Sequence, residues 1–156
     1  MIQGEYVRTI DDRWRVTLPA ELVEALCPGG ERDCVLGKER YGALSLWPKA
    51  VWQQRIAAGV KLVEHKIQSN WMTNRIDQLQ TFGRLLSTKY RDVRIGSNGR
   101  LVIPEGFREF LALEPGGEVV VVGAAVCLEL WHPKAWRSYL KKALVQFGGL
   151  FQELTG

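Results

Sequence analysis

The sequence has few of the residues on which enzymes and metal sites depend. Its 156 residues include two histidines, which stand alone, and three cysteines without CxxC spacing. No serine lies in a GxSxG motif and no glycine-rich stretch is followed by Lys-Ser or Lys-Thr, so neither a nucleophile elbow nor a phosphate-binding loop is predicted. We therefore expect no enzyme, no metal, no cofactor and no small-molecule substrate.

Long hydrophobic runs are missing as well. The longest uncharged apolar run, residues 119–128, is interrupted by Gly123 and is far too short to span a bilayer. The first six residues contain no apolar core of a secretory signal. Cys27, Cys34 and Cys127 are odd in number and lie in apolar or turn-like stretches, which fits buried thiols in a reducing compartment. We expect a soluble, cytoplasmic protein that does not enter a membrane.

One sign of charge dominates only locally. The formal net charge is +4, and both ends of the chain are nearly balanced. Between Arg84 and Arg108, six basic residues are accompanied by two acidic ones. Such a patch attracts polyanions more strongly than the net charge of the chain suggests. The alternative is a helix and a turn with ordinary solvated surface charge.

What the chain does contain is a tandem repeat. Residues 98–104 read Asn-Gly-Arg-Leu-Val-Ile-Pro, which predicts a tight turn, an arginine at its exit, a short strand and a proline that opens a helix. Residues 13–19, about 85 positions earlier, read Arg-Trp-Arg-Val-Thr-Leu-Pro, with arginine, strand-forming residues and proline in the same order. We therefore expect two basic turns to be presented side by side.

The patterns around each turn predict a β-β-α-β-β-α unit, and two such units make an α+β protein. The short helix of each unit is expected at residues 20–26 and 104–111, and each unit ends in a hairpin followed by a longer helix. The closing helix is expected to bury an apolar stripe: Trp136, Tyr139, Leu140, Ala143, Leu144 and Phe147.

A helix is also predicted between the two units. Apolar residues recur there at helical spacing, namely Met72, Ile76, Leu79, Phe82 and Leu86. The predicted division is a first repeat at 1–68, a connecting helix at 69–88 and a second repeat at 89–156. Units this small leave strand edges unpaired and have thin cores, so we expect the halves to pair with each other and several chains to assemble.

The tryptophans divide into two groups. Four occupy equivalent positions in the two repeats and are expected to build the core: Trp47, Trp52, Trp131 and Trp136. Trp14 lies among charged residues in the first turn, where burial is hard to arrange, and we expect it to be exposed.

The basic turns are the candidate functional site. An arginine at the tip of a β-ribbon can bind phosphate or the O6/N7 edge of guanine, so Arg15 and Arg100 are candidate contacts to DNA. The alternative is that these arginines form salt bridges that lock the turns, with Asp11 as the partner of Arg15. Glycine replaces that aspartate at position 96, which leaves Arg100 freer to bind a ligand. Four further candidates lie in or beside the turns: Arg13, Trp14, Arg94 and Asn98.

The chain resembles the MraZ family of bacterial transcriptional regulators, which consist of two swapped-hairpin domains of the SpoVT-AbrB type, a fold related to double-ψ barrels. The resemblance covers nearly the whole chain and includes the Leu-x-Leu-Trp segments at 44–47 and 128–131. Each half of the family typically carries Asp-x-x-Gly-Arg. The first half here reads Asp-Asp-Arg-Trp-Arg at 11–15, and the second reads Gly-Ser-Asn-Gly-Arg at 96–100.

The resemblance implies a regulator, usually a repressor, that recognises short direct repeats upstream of the division and cell-wall gene cluster and assembles into a ring. It implies DNA contacts by Arg13, Arg15 and Arg100. It further implies that Asp11 braces its turn and that Gly99 supplies a positive φ. The expected partners are double-stranded DNA and further copies of the chain, in the nucleoid.

The sequence leaves two alternatives to a DNA-binding regulator. The first is an oligomeric interaction module with the same fold that has lost DNA recognition, because both turns depart from the family pattern. The second is more distant. Small double-ψ barrels include decarboxylases that form a pyruvoyl group by cleavage at a Gly-Ser bond, and this chain contains Gly96-Ser97.

Overall fold

The computed structural model describes residues 1–68 and 76–156 and has strands and helices in the predicted order. The strands in these residues are β1 (Glu5–Thr9), β2 (Arg15–Thr17), β3 (Asp33–Arg40), β4 (Ala43–Pro48), β5 (Tyr90–Arg94), β6 (Arg100–Val102), β7 (Glu118–Gly123) and β8 (Leu128–Trp131). The helices are α1 (Ala20–Leu26), α2 (Lys49–Gln68), α3 (Ile76–Lys89), α4 (Arg108–Leu111) and α5 (Pro133–Thr155). The predicted α+β class is confirmed, whereas the assignment to the swapped-hairpin type stays a prediction.

The main sheet joins the two halves by exchange of strands. Its order is β1-β7-β8-β4-β3-β5, and every neighbouring pair is antiparallel. Strand β1 of the first half pairs with β7 of the second, and β5 of the second half pairs with β3 of the first. The halves therefore complete each other's sheet edges, which confirms that they pair with each other. The predicted division at residues 68 and 88 stays a prediction.

A separate two-stranded ribbon, β2 and β6, carries the basic turns. Val16 lies opposite Leu101 at its centre, and both side chains are fully buried. Arg15 pairs with Val102 and Thr17 with Arg100, so the ribbon is related to itself by a pseudo-twofold axis at its centre. The ribbon is thus built equally from both halves.

The core below the ribbon is apolar and continuous. Helix α1 forms where it is predicted and buries Leu22, Val23 and Leu26 against both halves. The three cysteines are buried, as expected, and free. Burial raises the pKa of the Cys34 and Cys127 thiols to about 12.

The prediction that four tryptophans build the core is confirmed for two of them. Trp47 and Trp131 are buried. Trp52 and Trp136 are only half-buried, and they pack on aromatic rings at the sheet margin: Trp52 lies 5.1 Å from Tyr90 between ring centroids, and Trp136 lies 5.2 Å from Trp131. These two rings cover the edge of the core and do not lie at its centre.

Two helices differ from the prediction. Helix α4 covers only residues 108–111, because residues 104–107 form a turn in which Gly106 has a φ of 90°. Helix α5 packs on the sheet through its first turns only. The expectation that α5 buries its whole apolar stripe is wrong. Tyr139 is 38% exposed, and Leu144 and Phe147 are each 62% exposed. The other three residues of the stripe are half-buried: Trp136, Leu140 and Ala143. The helix extends beyond the sheet edge, where the described residues offer it no apolar partner.

The connecting segment is helical on both sides of residues 69–75. Those residues, including Met72, lie outside the described part of the chain. The apolar stripe of α3 is largely exposed, with Ile76 at 54% and Phe82 at 40%. An open apolar groove between α2 and α3 is lined by their facing side chains, among them Val60, Val63, Leu85 and Leu86.

Candidate nucleic-acid interface

The two basic turns have the same backbone hydrogen bonds. In the first turn the Asp11 amide donates to the Arg15 carbonyl oxygen at 3.0 Å, and the Trp14 amide donates to the Asp11 carbonyl oxygen at 3.1 Å. In the second turn the corresponding bonds, from Gly96 to Arg100 and from Gly99 to Gly96, are 2.8 and 3.0 Å long. The fourth residue has a positive φ in both, 60° at Trp14 and 75° at Gly99. The turns therefore share one conformation despite their different sequences.

Asp11 lies at the centre of the first turn's polar contacts. Its Oδ1 accepts hydrogen bonds from the Arg13 and Arg15 amides at 2.9 and 2.8 Å, and its Oδ2 accepts one from Arg15 Nε at 2.7 Å. The backbone hydrogen bond from Arg15 is the largest cause that holds the pKa of Asp11 below its ordinary value of 3.8. The Asp11–Arg15 salt bridge that was the alternative to DNA contact is thus present.

The salt bridge with Asp11 leaves most hydrogen-bond donors of Arg15 unused. A guanidinium carries five N–H donors, and the bond to Asp11 uses only the one on Nε. The Arg15 side chain is 32% exposed. Its two terminal amino groups therefore remain as donors for a phosphate or a base edge.

Arg15 and Arg100 share the outer face of the ribbon. Side chains alternate along a strand, and Val16 and Leu101 point into the core, so the residues on either side of them face outward. On this outer face the two arginines stand diagonally across the strands, an arrangement in which residues lie roughly 7–8 Å apart and their Cβ atoms somewhat closer. Arg100 is exposed, and no ion pair to it is seen within residues 1–68 and 76–156. The outer face of the ribbon is therefore basic and accessible.

Of the remaining candidate residues, Arg13 and Asn98 lie in the turns, whereas Arg94 does not. Arg13 and Asn98 are exposed in the first and second turns, at equivalent positions. Arg94 lies on the edge strand β5 of the main sheet, and its Nη1 forms a 2.9 Å ion pair with Asp33 Oδ1. The two turns and Arg94 thus belong to different sheets, although Arg94 is close to the second turn in sequence.

Trp14 is half-buried, so the expectation that it is exposed is wrong. Its ring packs against the core, and the centre of the Arg108 guanidinium lies 4.9 Å from the ring centroid. Arg108 Nε also donates a 2.8 Å hydrogen bond to the carbonyl oxygen of Ile103. Arg108 was counted in the basic patch of the sequence but was not named as a site residue, although the repeat aligns it with Val23 and so marks a change from an apolar to a basic residue.

Arg8 is a second basic residue that was not named as a site residue from the sequence. Its Nε donates to the carbonyl oxygen of Thr17 at 3.2 Å, which places its guanidinium beside the ribbon. Its position in β1 gave no indication of this contact, because β1 belongs to the main sheet and the ribbon does not. The basic surface around the ribbon is therefore larger than the two turn motifs alone.

One protein family matches both halves of the chain. The family described as "MraZ protein, putative antitoxin-like" matches residues 1–66 and 86–148, which is more than half of the chain. The chain belongs to the MraZ family. Both matched segments contain one basic turn and one strand of the ribbon, so the geometry described above lies within the part of the chain that the family shares.

Relatives with the MraZ name span the chain almost completely. The chain is 31% identical to the transcriptional regulator MraZ of Heliobacterium modesticaldum over 154 residues, which are 99% of this chain and 96% of the relative. It is 28% identical to that of Carboxydothermus hydrogenoformans, with 99% and 97% covered, and 29% identical to that of Thermus thermophilus, with 92% and 90% covered.

The MraZ family is one of transcriptional regulators and not of enzymes, which confirms the prediction that the chain is not an enzyme. Membership in this family argues against the decarboxylase alternative at Gly96-Ser97. In the described residues, none of the helices has the length and hydrophobicity needed to cross a bilayer.

Proposed function

We propose that the chain is a sequence-specific regulator of transcription that binds double-stranded DNA through the outer face of its β2–β6 ribbon and the two turns beside it. It acts as a repressor of the division and cell-wall gene cluster and recognises short direct repeats. It works in the cytoplasm, at the nucleoid. The observation that carries the proposal is the presence of Arg15 and Arg100 on one accessible face of a two-stranded ribbon.

The dimensions of the ribbon support this proposal. The major groove of B-DNA is about 12 Å wide and admits a two-stranded β-ribbon. Strands in a sheet lie about 4.7–4.9 Å apart, so the ribbon backbone fits within that width together with its outward side chains. Arg15 and Arg100 then address base edges or phosphates. The flanking residues Arg13 and Asn98 lie at the turn tips, where the backbone of the DNA or an adenine edge is within reach.

The contrast between the turns suggests different tasks for them. Arg15 is held by Asp11, and a side chain held in place before binding loses less entropy when DNA binds. Arg100 has no such brace among the described residues and keeps more rotamers. We assign base recognition to Arg15 and general phosphate attraction to Arg100. Arg94 adds long-range attraction from the neighbouring sheet edge, weakened by its ion pair with Asp33.

Assembly of several chains is part of the proposal. The last turns of α5 expose a cluster of large apolar residues: Leu144, Val145, Phe147, Leu150, Phe151 and Leu154. An exposed apolar patch of this kind is typical of a protein–protein interface. We propose that it binds further copies of the chain in a ring, so that several ribbons engage successive direct repeats and gain affinity through multivalency.

Gel-shift measurements across a salt series test the DNA proposal. DNA fragments that tile the region upstream of the division and cell-wall genes are the probe. Each of R13A, R15A and R100A is expected to weaken binding, and each lost phosphate contact should flatten the slope of log K against log salt by about 0.9. R137A is the matched control, because Arg137 is an exposed arginine on α5, away from the ribbon.

Two outcomes would contradict the proposal at different levels. If all three ribbon variants bind as tightly as the unmodified chain and R137A, the site is wrong. If the unmodified chain binds no fragment even at low salt, the interaction module without DNA recognition becomes the better description.

A further inference from the structure

The two turns reach the same conformation by different means. The repeat relates Trp14 to Gly99, Ile103 to Leu18 and Arg108 to Val23, each pair 85 residues apart. The hydrogen bonds obey the same relation: the Ile103 amide donates to the Trp14 carbonyl oxygen, and the Leu18 amide donates to the Gly99 carbonyl oxygen, both at 2.8 Å. Each turn is therefore anchored to the half of the chain that does not contain it.

The second turn depends on glycine. Gly99 has a φ of 75°, a conformation that side chains with a Cβ rarely adopt. A Cβ at this position would lie 3.1 Å from the carbonyl oxygen of Leu18 and 3.8 Å from Cγ2 of Val23. The space above the turn is thus closed by a carbonyl oxygen and an aliphatic side chain, and a large residue there would need its neighbours to move.

The first turn holds a large residue in the same conformation because its neighbours differ. Trp14 has a φ of 60°, which is unfavourable for a bulky residue. At the place that corresponds to Val23 stands Arg108, whose guanidinium stacks on the indole at 4.9 Å. The same guanidinium binds the Ile103 carbonyl oxygen, which corresponds to the Leu18 oxygen beside Gly99. Arg108 thus contacts both the tryptophan ring and the carbonyl oxygen that corresponds to the Leu18 oxygen beside Gly99.

We infer that Trp14 and Arg108 are a coupled pair of positioning residues that hold Arg13 and Arg15 in the conformation which glycine provides in the second turn. The inference rests on the proposed function and replaces a direct role of Trp14 in DNA binding. Arg108 is assigned to the turn because its Nε is bound to the Ile103 oxygen and its guanidinium lies over the indole. Its terminal amino groups keep their donors, so the W14G/R108V variant tests whether Arg108 acts through the turn or contacts DNA directly. Trp14 needs Arg108 to hold this conformation, whereas a glycine at position 14 does not need it.

Four variants test the coupling by gel shift and by the salt slope. R108V and R108K each remove the Nε donor and the planar stack, and R108K keeps the positive charge. Both are expected to lower DNA affinity about tenfold, which corresponds to about 1.4 kcal/mol, and to flatten the salt slope as contacts of Arg13 and Arg15 are lost. W14G/R108V installs the residues of the second turn and is expected to restore affinity to within about twofold. W14G alone should bind DNA like the unmodified chain, because glycine does not need the stack.

Melting curves distinguish a loss of DNA affinity caused by a displaced first turn from one caused by unfolding of the variant. Each variant is compared at a temperature where its melting curve shows it to be fully folded. If R108K retains the DNA affinity and the salt slope of the unmodified chain, a positive charge at position 108 is sufficient for DNA binding and the inference is wrong. If W14G/R108V stays as weak as R108V, Arg108 contacts DNA directly and the inference is likewise wrong. Recovery in W14G/R108V together with weak binding by R108K supports it.

R100A distinguishes this inference from the proposed function, because Arg100 belongs to the turn that the pair does not touch. Weak binding by R100A with normal binding by R108V and R108K would overturn the coupling and leave the DNA proposal intact. Normal binding by R13A, R15A and R100A together would overturn the DNA site itself.

Discussion

The amide of Ile103 donates a 2.8 Å hydrogen bond to the carbonyl oxygen of Trp14, so a residue of the second half holds the turn of the first. The reciprocal bond joins Leu18 to Gly99 at the same distance. Between these two bonds lie the buried side chains of the ribbon, which both halves supply. The positions of the two turns are therefore coupled, and damage to the ribbon's centre should affect both.

Leu101 provides the first prediction, because it is fully buried opposite Val16 at the centre of the ribbon. L101A should lower the free energy of unfolding by about 2–5 kcal/mol, as expected for loss of buried aliphatic volume and formation of a cavity. V102A is the matched control, since Val102 is 50% exposed in the next position, and its effect should stay within about 0.5 kcal/mol. Denaturant unfolding measures both, and equal effects would contradict the assigned inward and outward faces.

Asp11 provides the second prediction, a pH-dependent contribution of the first turn to stability. Hydrogen bonds hold its pKa below 3.8 in the folded chain, so the unfolded chain binds more protons at mildly acidic pH. The stabilisation is therefore complete above the unfolded pKa and is lost as pH falls through the folded pKa. D11A should melt at a lower temperature than the unmodified chain at pH 7, and the difference should shrink as pH is lowered from about 4 toward 2.

The neighbouring residue is the control for this pH dependence. Asp12 is exposed in the same turn, and the described residues give its carboxylate no hydrogen bond or ion pair. D12A should therefore melt like the unmodified chain over the same pH range. A difference between D11A and the unmodified chain that stays constant down to pH 2 would show that the Asp11 carboxylate is not the stabilising group.

The exposed end of α5 provides the third prediction. Val145 is 86% exposed and Leu154 is 76% exposed. If this surface joins copies of the chain, V145E/L154E places unpaired charges in an apolar contact and should weaken assembly by at least about tenfold. Light scattering coupled to size-exclusion chromatography over a concentration series measures the change. The double variant should keep the melting temperature of the sheet, because neither side chain packs on it.

Gln146 serves as the control for the assembly measurement. It is an exposed polar residue on the same segment of α5, and Q146E adds charge without removing an apolar side chain. Q146E should assemble like the unmodified chain. Assembly of V145E/L154E to the same size and with the same concentration dependence would place the interface elsewhere, and the apolar groove between α2 and α3 would be the next surface to change.

Local patterns sufficed for much of the fold. Helix α1 follows from Pro19 and the apolar spacing after it, and the ribbon strands follow from short β-branched segments that end at proline. The Asp11–Arg15 ion pair was also predictable, because four residues around a tight turn bring the two side chains together. The burial of α5 was harder to judge, since an apolar stripe at helical spacing indicates a helix but does not say what covers it.

The tandem repeat, the order of its elements and the concentration of arginines at two turns could all be predicted from local sequence, because turn chemistry and hydrophobic periodicity act over a few residues. Tertiary structure decided that the halves exchange strands, that Arg94 lies on another sheet, and that Trp14 rests beneath Arg108. These contacts join residues 53 to 117 positions apart. No local propensity encodes such pairs, because their energies arise only when strands from both halves have closed the core.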